Sequence, residues 1–361
     1  MEKVKKEFLS ARSFPIELEE RMPGTYRWGI LGAGWIGRCF SMQVIKAGGN
    51  IAAVGSRTLE KAKSFQAEFP SVEKAYKSYE ELIDDPDIDV IYIATPHAQH
   101  YEWAMKCLAA GKPILVEKAF TQNYQQAKAI LDLAEKQNLF VMEAYWTRFL
   151  PHIRKVKEWV DRGEIGDIVQ IIADHGVWFP FDPKHRLYAP ELAGGALLDL
   201  GVYPLSFVQY LLGNPTKILA AGSAAPTGVD SNGAVILEYE NGKGALAMLA
   251  FGSLASSPVT AAICGTKGRI EIKRQFYRPS DFTIHYNDGS TFEYTSKSHE
   301  QSHRGYEGLY GMHFEAAEVE RCLDQGKKES AVMPWNDTLA VMKMMDEIRR
   351  QLDFTYEGET L

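Results

Sequence analysis

The chain has few of the features that would place it in a specialised class. Its four cysteines, Cys39, Cys107, Cys264 and Cys322, are far apart and include no C-x-x-C pair. That spacing speaks against a disulfide framework or a cysteine-based zinc site, so we expect reduced thiols, no metal and a cytoplasmic protein. Basic residues do not dominate: 40 Lys and Arg stand against 47 Asp and Glu, a formal charge of -7. With no basic stripe to neutralise phosphates, nucleic acid is not expected as a partner. The apolar runs are strand-sized, so no membrane span is expected. There is no internal repeat and no low-complexity linker, and residues 1–24 lack the apolar run of a signal peptide and read as an N-terminal arm. What remains is a globular chain, 45% apolar and 361 residues long, with enough material for two cores and a small molecule as its partner.

What is present begins with Tyr26 to Gly37, Tyr-Arg-Trp-Gly-Ile-Leu-Gly-Ala-Gly-Trp-Ile-Gly. An apolar run ends at Gly32, and Gly32, Gly34 and Gly37 stand at G-x-G-x-x-G spacing, with Trp35 and Ile36 between them, before a segment able to form a helix. Strand, tight turn and helix in that order make a dinucleotide-binding turn. A side chain at the second glycine would keep the backbone away from a pyrophosphate, whose charge rests on the first N–H groups of the helix.

The following stretch alternates. Strands are expected at 50–56, 88–94, 113–116 and 139–144, and helices at 59–69, 78–83, 98–110 and 121–138. That rhythm is the signature of a doubly wound parallel sheet with ligands at the carboxyl ends of its strands. After about residue 145 strand follows strand, at 168–178, 218–224, 234–239, 245–251, 259–264, 269–273, 282–286 and 291–294, before helices at 311–324 and 337–352. Turns such as Glu240-Asn241-Gly242 and Asn287-Asp288-Gly289 make this second sheet antiparallel. The expected fold class is α/β, with an arm over 1–24, a Rossmann domain over 25–145, and an α+β domain over 146–361 that carries a large open, mostly antiparallel sheet. Helices cover one face of that sheet, and Val235, Leu237, Leu246 and Met248 need cover on the other, which makes a homodimer or higher homo-oligomer the expectation.

About 20 residues past the glycines, where a carboxylate normally meets the ribose 2′-hydroxyl, the chain has Ser56, Arg57 and Thr58. A hydroxyl and a guanidinium bond a 2′-phosphate that a carboxylate would repel, so NADP(H) is expected over NAD(H); the alternative is a solvated Arg57 with Glu60 at the ribose. Thr95-Pro96-His97-Ala98-Gln99-His100 and Glu117-Lys118 each follow a strand and face the same crevice, with His97 reading as an ordinary loop residue. A lysine buried there, its proton affinity lowered by desolvation and a nearby cation, suits an acid, a base or a polariser, although on its own a Glu-Lys pair after a strand is more often a surface pair. If 196–209 is helical, Asp199 and Tyr203 form an i, i+4 pair, although a tyrosine in an apolar helix is usually a packed aromatic. Trp146, Arg148, Phe149, His175, Trp178, Phe179 and the loop 182–190 offer aromatic faces with a few hydrogen-bonding groups, which suits a sugar or a cyclic diol; some serve equally at a domain junction.

Taken together, Gly-Ala-Gly-Trp-Ile-Gly, Ala-Thr-Pro followed by His100, Glu117-Lys118, and the Gly-Gly-Ala-Leu-Leu-Asp-Leu-Gly-Val-Tyr run ending at Tyr203 resemble the glucose-fructose oxidoreductase/inositol dehydrogenase (Gfo/Idh/MocA) family. The resemblance covers nearly the whole chain after residue 25. Tyr203, where many members have His, and Glu143-Ala144-Tyr145-Trp146-Thr147-Arg148-Phe149 are most similar to the branch of dimeric dihydrodiol dehydrogenases and NADP-dependent D-xylose 1-dehydrogenases. The resemblance implies a catalytic set of Lys118, Asp199 and Tyr203 at the nicotinamide. In it Tyr203 exchanges a proton with the substrate, Lys118 polarises the substrate oxygen and favours the phenolate, and Asp199 orients the pair. Which of Lys118 and Tyr203 is the acid/base stays open. Thr95, Pro96, His100 and Glu117 then belong with the cofactor, and the second sheet with a dimer. Ala119 departs from the family's Glu-Lys-Pro and loosens the backbone beside Lys118. The activity to expect is NADP(H)-dependent oxidation or reduction at a hydroxyl of an aldose or cyclic trans-diol. The alternatives are a glycoside hydrolase of the same fold that holds NAD tightly, and a cofactor sensor without turnover.

Overall fold

The computed structural model describes residues 22, 24–240, 244–296 and 310–359; the arm expected over 1–24, apart from Met22 and Gly24, and most of the turn at 240–242 lie outside these. The first sheet contains β1 (Arg27–Leu31), β2 (Asn50–Gly55), β3 (Lys74–Tyr76), β4 (Val90–Ile93), β5 (Ile114–Glu117) and β6 (Val141–Ala144), all parallel, in the order β3-β2-β1-β4-β5-β6. Strands β4, β5 and β6 are buried at every residue, which is why they read as mostly apolar runs, with Glu117 and Glu143 the exceptions: helices cover both faces. These helices are α1 (Trp35–Lys46), α2 (Leu59–Glu68), α3 (Tyr79–Ile83), α4 (His97–Ala109) and α5 (Tyr124–Gln137). The strand order reverses between β1 and β4, so the crevice for a ligand opens at their carboxyl ends. Helix α5 begins later than the expected Thr121, because the Asn123 side chain is the cap and accepts from Gln126 N at 2.9 Å. Strand β3, three half-buried residues, is too short to show a period, and α6 (Pro151–Asp161) fills the stretch before the second sheet that the strand pattern left unread.

The second sheet runs β14-β13-β12-β11-β7-β10-β9-β8, from β7 (Ile168–Gly176), β8 (Lys217–Ala224), β9 (Asp230–Tyr239), β10 (Ala245–Gly252), β11 (Ala261–Gly265), β12 (Gly268–Ile272), β13 (Phe282–Tyr286) and β14 (Thr291–Tyr294). Only β7 and β10 pair in parallel. A helical segment packs on its inner face: a π-wound turn, Leu197–Gly201, that continues into α7 (Val202–Leu212). The run Pro190–Leu212 is longer than the strand-sized apolar runs expected and by length and composition could cross a membrane, but 89% of its apolar window is buried inside the fold.

The four residues expected to share an open face lie on opposite faces. Val235 and Leu237 are buried and pair with Leu249 and Ala247, also buried, whereas Leu246 and Met248 pair with Glu238 and Ile236 on the outer side. Directly opposed residues share a face, so register decides the matter and composition does not. The outer face carries exposed Val169, Ile172, Leu219, Ile236 and Leu246.

The last helices, α8 (Met312–Asp324) and α9 (Trp335–Gln351), return to the first sheet. Trp28 Nε1 donates to Glu320 Oε1 at 2.9 Å, and Trp335 Nε1 donates to Val141 O at 2.9 Å. Gln43 Oε1 accepts from both Gly311 N and Met312 N at the start of α8, at 2.7 and 2.8 Å. Helix α9 also packs on α7 and β8, so the end of the chain clamps the two sheets together.

Candidate active site

At the glycine turn, Gly32 has φ +121°, and a Cβ there would lie 2.8 Å from Ala94 O; one on Gly37 would lie 2.4 Å from Gly32 O. Close backbone approach fixes both. Gly34 differs, since a Cβ there would meet nothing within 4 Å. It caps α1 with no side-chain bond, and the first turn holds no acidic residue, so the leading N–H groups are free to receive an anion. Thr95 Oγ1, just past β4, is buried without a partner among the described residues. An open cradle, uncapped donors and an orphan hydroxyl fit a dinucleotide, with exposed Trp35 and half-buried Ile36 flanking it. Arg38, which the spacing did not single out, braces the turn by donating to Ala33 O and pairing with Glu68. Past β2, Ser56 is buried and Arg57 exposed. Thr58 is exposed, and its Oγ1 accepts from Lys61 N and caps α2.

Lys118 leaves the end of β5 and meets Asp199 twice, Nζ lying 3.1 Å from Oδ1 and 2.9 Å from the backbone oxygen. Its ammonium also sits 4.8 Å from the centre of the Tyr203 ring. The structure thus brings the three expected catalytic residues together. Arg186 adds a second cation, with Nη1 3.0 Å from the same Asp199 Oδ1. Burial pushes the Asp199 carboxyl up, but Arg186 and Lys118 outweigh it and hold Asp199 well below the usual carboxylate range. Lys118 moves opposite to expectation: burial pulls its ammonium down, yet Asp199, with Tyr203 and Glu117, holds it above the usual lysine range. Burial pushes the Tyr203 phenol up to about 12 against the opposing pull of Lys118.

Aromatic groups wall the phenol. Trp146 Nε1 donates to Tyr203 Oη at 3.3 Å, Tyr145 Oη donates to Tyr203 O at 2.6 Å, and the His175 and Tyr277 rings lie 4.9 and 4.5 Å from the Tyr203 ring. Burial lowers the His175 imidazole to about 4, so it is neutral beside the phenol. Tyr277 gave no sequence signal, since it comes from the irregular stretch between β12 and β13.

His97, read as an ordinary loop residue, starts α4; its ring bonds Ala193 O at 3.2 Å, and burial lowers it to about 3. His100 is fully buried, with Nε2 2.8 Å from Thr95 O and Nδ1 3.0 Å from Ala119 O, and so ties the two strand-end loops together. Pro96 caps α4. Glu117 is bonded by the Tyr92 hydroxyl, and burial raises it to about 7.

Two of the expected substrate residues are corrected. Arg148 is fully buried, donating to Asp337 Oδ2 at 2.5 Å and Gln209 Oε1 at 2.6 Å, and it ties the turn Trp146–Phe149 to α7 and α9. Phe149, 1% exposed, is core. A charge within an aromatic stretch reads like a ligand-binding group until its distant partners are known. Trp178 is 60% exposed, beside the 182–190 loop, while Trp146 touches the phenol itself. Among the described residues no acidic, His or Cys cluster could hold a metal, and all four cysteines are unpaired.

Residues 26–145 match the family model for an oxidoreductase family with a NAD-binding Rossmann fold, and residues 153–271 match the Gfo/Idh/MocA C-terminal domain. The chain belongs to the Gfo/Idh/MocA oxidoreductase family. It is 37% identical over 336 residues to a trans-1,2-dihydrobenzene-1,2-diol dehydrogenase of Xenopus tropicalis, covering 91% of this chain and 99% of the relative. It is 34% identical to a D-xylose 1-dehydrogenase (NADP(+)) of Hypocrea jecorina, covering 92% and 94%. Among solved members of the fold, an aldose-aldose oxidoreductase from Caulobacter crescentus superposes with a TM-score of 0.78 at 24% identity, over 91% of this chain and 97% of the other. A 3-ketoreductase from Actinomadura kijaniata, in complex with NADP and TDP-benzene, gives 0.76 at 25% identity, over 91% and 98%.

Proposed function

We propose that this member of the family is an NADP(H)-dependent dehydrogenase that moves a hydride between nicotinamide and the hydroxyl-bearing carbon of an aldose or cyclic trans-diol. The observation that carries the reading is the cluster of Lys118, Asp199 and Tyr203 at the carboxyl end of the parallel sheet. A bound nicotinamide supplies the hydride acceptor. Gly34 and the first N–H groups of α1 hold its pyrophosphate, and Ser56 and Arg57 meet a 2′-phosphate. Lys118, kept cationic by Asp199, polarises the substrate oxygen and favours the phenolate. Tyr203, whose hydroxyl accepts from Trp146, is left as the group that moves the proton. The aromatic wall of Trp146, His175 and Tyr277 receives the apolar face of the ring. The names of the two enzyme relatives, one with a cyclic diol and one with D-xylose and NADP, support the same substrate class.

The reading includes a homodimer through the outer face of the second sheet, supported by exposed Val169, Ile172, Leu219, Ile236 and Leu246 on one surface. Sedimentation of the full chain tests it, with Ile172→Glu expected to give monomer. Growth of reduced-nicotinamide absorbance on a panel of aldoses and trans-diols, with NADP and NAD in parallel, tests the activity. No net reduction on any member of the panel rejects the reading.

A further inference from the structure

Two cations meet one oxygen in this site. Asp199 Oδ1 lies 3.1 Å from Lys118 Nζ and 3.0 Å from Arg186 Nη1. The two differ in exposure: the side chains of Lys118 and Asp199 are 12% and 8% exposed, whereas Arg186 is 50% exposed. Both cations hold the Asp199 carboxylate ionised, Lys118 from within and Arg186 from the outer side. Arg186 approaches from the solvent side, and among the described residues its guanidinium has no other partner.

The guanidinium is presented by an ordered loop. Gly195 N donates to Leu187 O at 2.8 Å, Tyr188 N to His185 O at 2.8 Å, and Tyr188 Oη to Phe179 O at 2.9 Å. The His185 ring stacks on Phe179, with centroids 5.6 Å apart. Leu187 and Tyr188, next in the chain, are buried. Arg186 therefore stands over the site on a fixed base, and its planar fork keeps several N–H donors for another oxygen.

We propose that Arg186 is a specificity-determining residue that binds the hydroxyl next to the carbon being oxidised. This rests on the dehydrogenase reading. Lys118 and Tyr203 engage the reacting oxygen, and a vicinal oxygen stands roughly 3 Å from it, on the scale of one hydrogen bond. Because Lys118 and Arg186 contact one carboxylate oxygen, their nitrogens are within two ion-pair lengths of each other, a span that suits the two oxygens of a vicinal diol. An aldose hemiacetal with its 2-hydroxyl and a cyclic trans-1,2-diol share that O–C–C–O unit. A group placed to bond a substrate hydroxyl disfavours the analogue that lacks it.

The test uses the full chain with NADP and two matched pairs, trans-cyclohexane-1,2-diol with cyclohexanol, and D-xylose with 2-deoxy-D-xylose. The quantity read is the ratio of kcat/KM within each pair. Arg186→Met is expected to lower the ratio at least tenfold, through loss on the vicinal substrate, and Arg186→Lys, which keeps the charge without the fork, to fall between. A second readout without turnover is the rise in Tm that saturating D-xylose gives in the presence of NADPH, which shrinks in Arg186→Met more than in Arg186→Lys. Should Arg186→Met not fold, Arg186→Lys carries both measurements. Equal losses on both members of a pair, or no loss on either, overturn the inference and leave the dehydrogenase reading standing. A wild-type chain that oxidises neither member overturns the dehydrogenase reading, and this inference with it.

Discussion

Lys118 Nζ stands 3.1 Å from Asp199 Oδ1 across 81 residues of sequence. The pair keeps a charge fixed beside the Tyr203 ring, where it acts on the phenol and on a substrate oxygen at once. Lys118→Met and Tyr203→Phe are each expected to lower kcat/KM at least about 100-fold, roughly 2.7 kcal/mol of barrier, with Lys118→Arg retaining more than Lys118→Met. Steady-state kinetics on the best substrate of the panel decides it; retention of more than about a tenth of the rate contradicts the assignment.

The direction of the Tyr203 shift sets the pH dependence. Oxidation uses the phenolate, which takes the substrate's proton, and burial raises this phenol to about 12. The rate of oxidation therefore climbs from neutral into alkaline pH, while reduction, which uses the neutral phenol, stays level over the same range. Lys118 pulls the phenol down, so Lys118→Met displaces the rising limb to higher pH. Profiles of kcat/KM in both directions read this, and an oxidation rate that falls between neutral and mildly alkaline pH would contradict it.

Local pattern made the first sheet legible. The turn at Gly32, Gly34 and Gly37 and the buried runs in β1, β2, β4, β5 and β6 carry their own signals, because covered parallel strands are mostly apolar. Lys118, Asp199 and Tyr203 were singled out through resemblance, since spacing alone favoured a surface or packing role for each. Arg148 was misread because its partners, Gln209 and Asp337, are distant in sequence. Arg186 was visible only as part of a loop, and Val235 and Leu237 could not be assigned a face without the register of β9 on β10. Information of that kind is tertiary.

Cofactor choice is expected to follow Arg57. It is exposed just past β2, next to buried Ser56. Arg57→Asp should lower the NADP-to-NAD ratio of kcat/KM at least tenfold, since it replaces attraction for a dianion by repulsion. A tenfold preference of the wild type for NAD would contradict the role given to Ser56 and Arg57.

Glu143, in β6 and paired beside the end of β5, offers a stability test. Burial raises its carboxyl from 4.5 to about 7. Between those values the folded chain holds a proton that the unfolded chain has lost, so this group's contribution falls as pH rises from 4.5 towards 7. The full cost above that window is on the order of 3 kcal/mol. Glu143→Gln removes the ionisation, so its Tm relative to wild type should be higher at about pH 8 than at about pH 5. A difference independent of pH would mean that the carboxyl titrates normally.

The end of the chain joins the two segments that carry the site. Tyr356 Oη donates to Gly194 O at 2.5 Å, just before the turn that holds Asp199 and leads to Tyr203. Glu359 accepts from Tyr356 N at 3.0 Å, from Arg349 Nη1 at 2.5 Å and from Asn123 Nδ2 at 2.6 Å, and Arg349 Nη2 donates to Gln122 O at 2.8 Å. Gln122 and Asn123 follow Lys118 closely, so one strap ties the lysine's loop to the tyrosine's helix. Leu197 N, bonded to Asp230 Oδ2 at 2.6 Å, fixes the start of the π-wound turn from the sheet side. Tyr356→Phe removes one bond of the strap and is expected to cost about 1 kcal/mol of stability. Because reacting groups lose rate when their spacing loosens, it should also lower kcat several-fold while KM for the dinucleotide stays near wild type. A lower Tm with kcat and its pH profile untouched would assign the strap to stability alone.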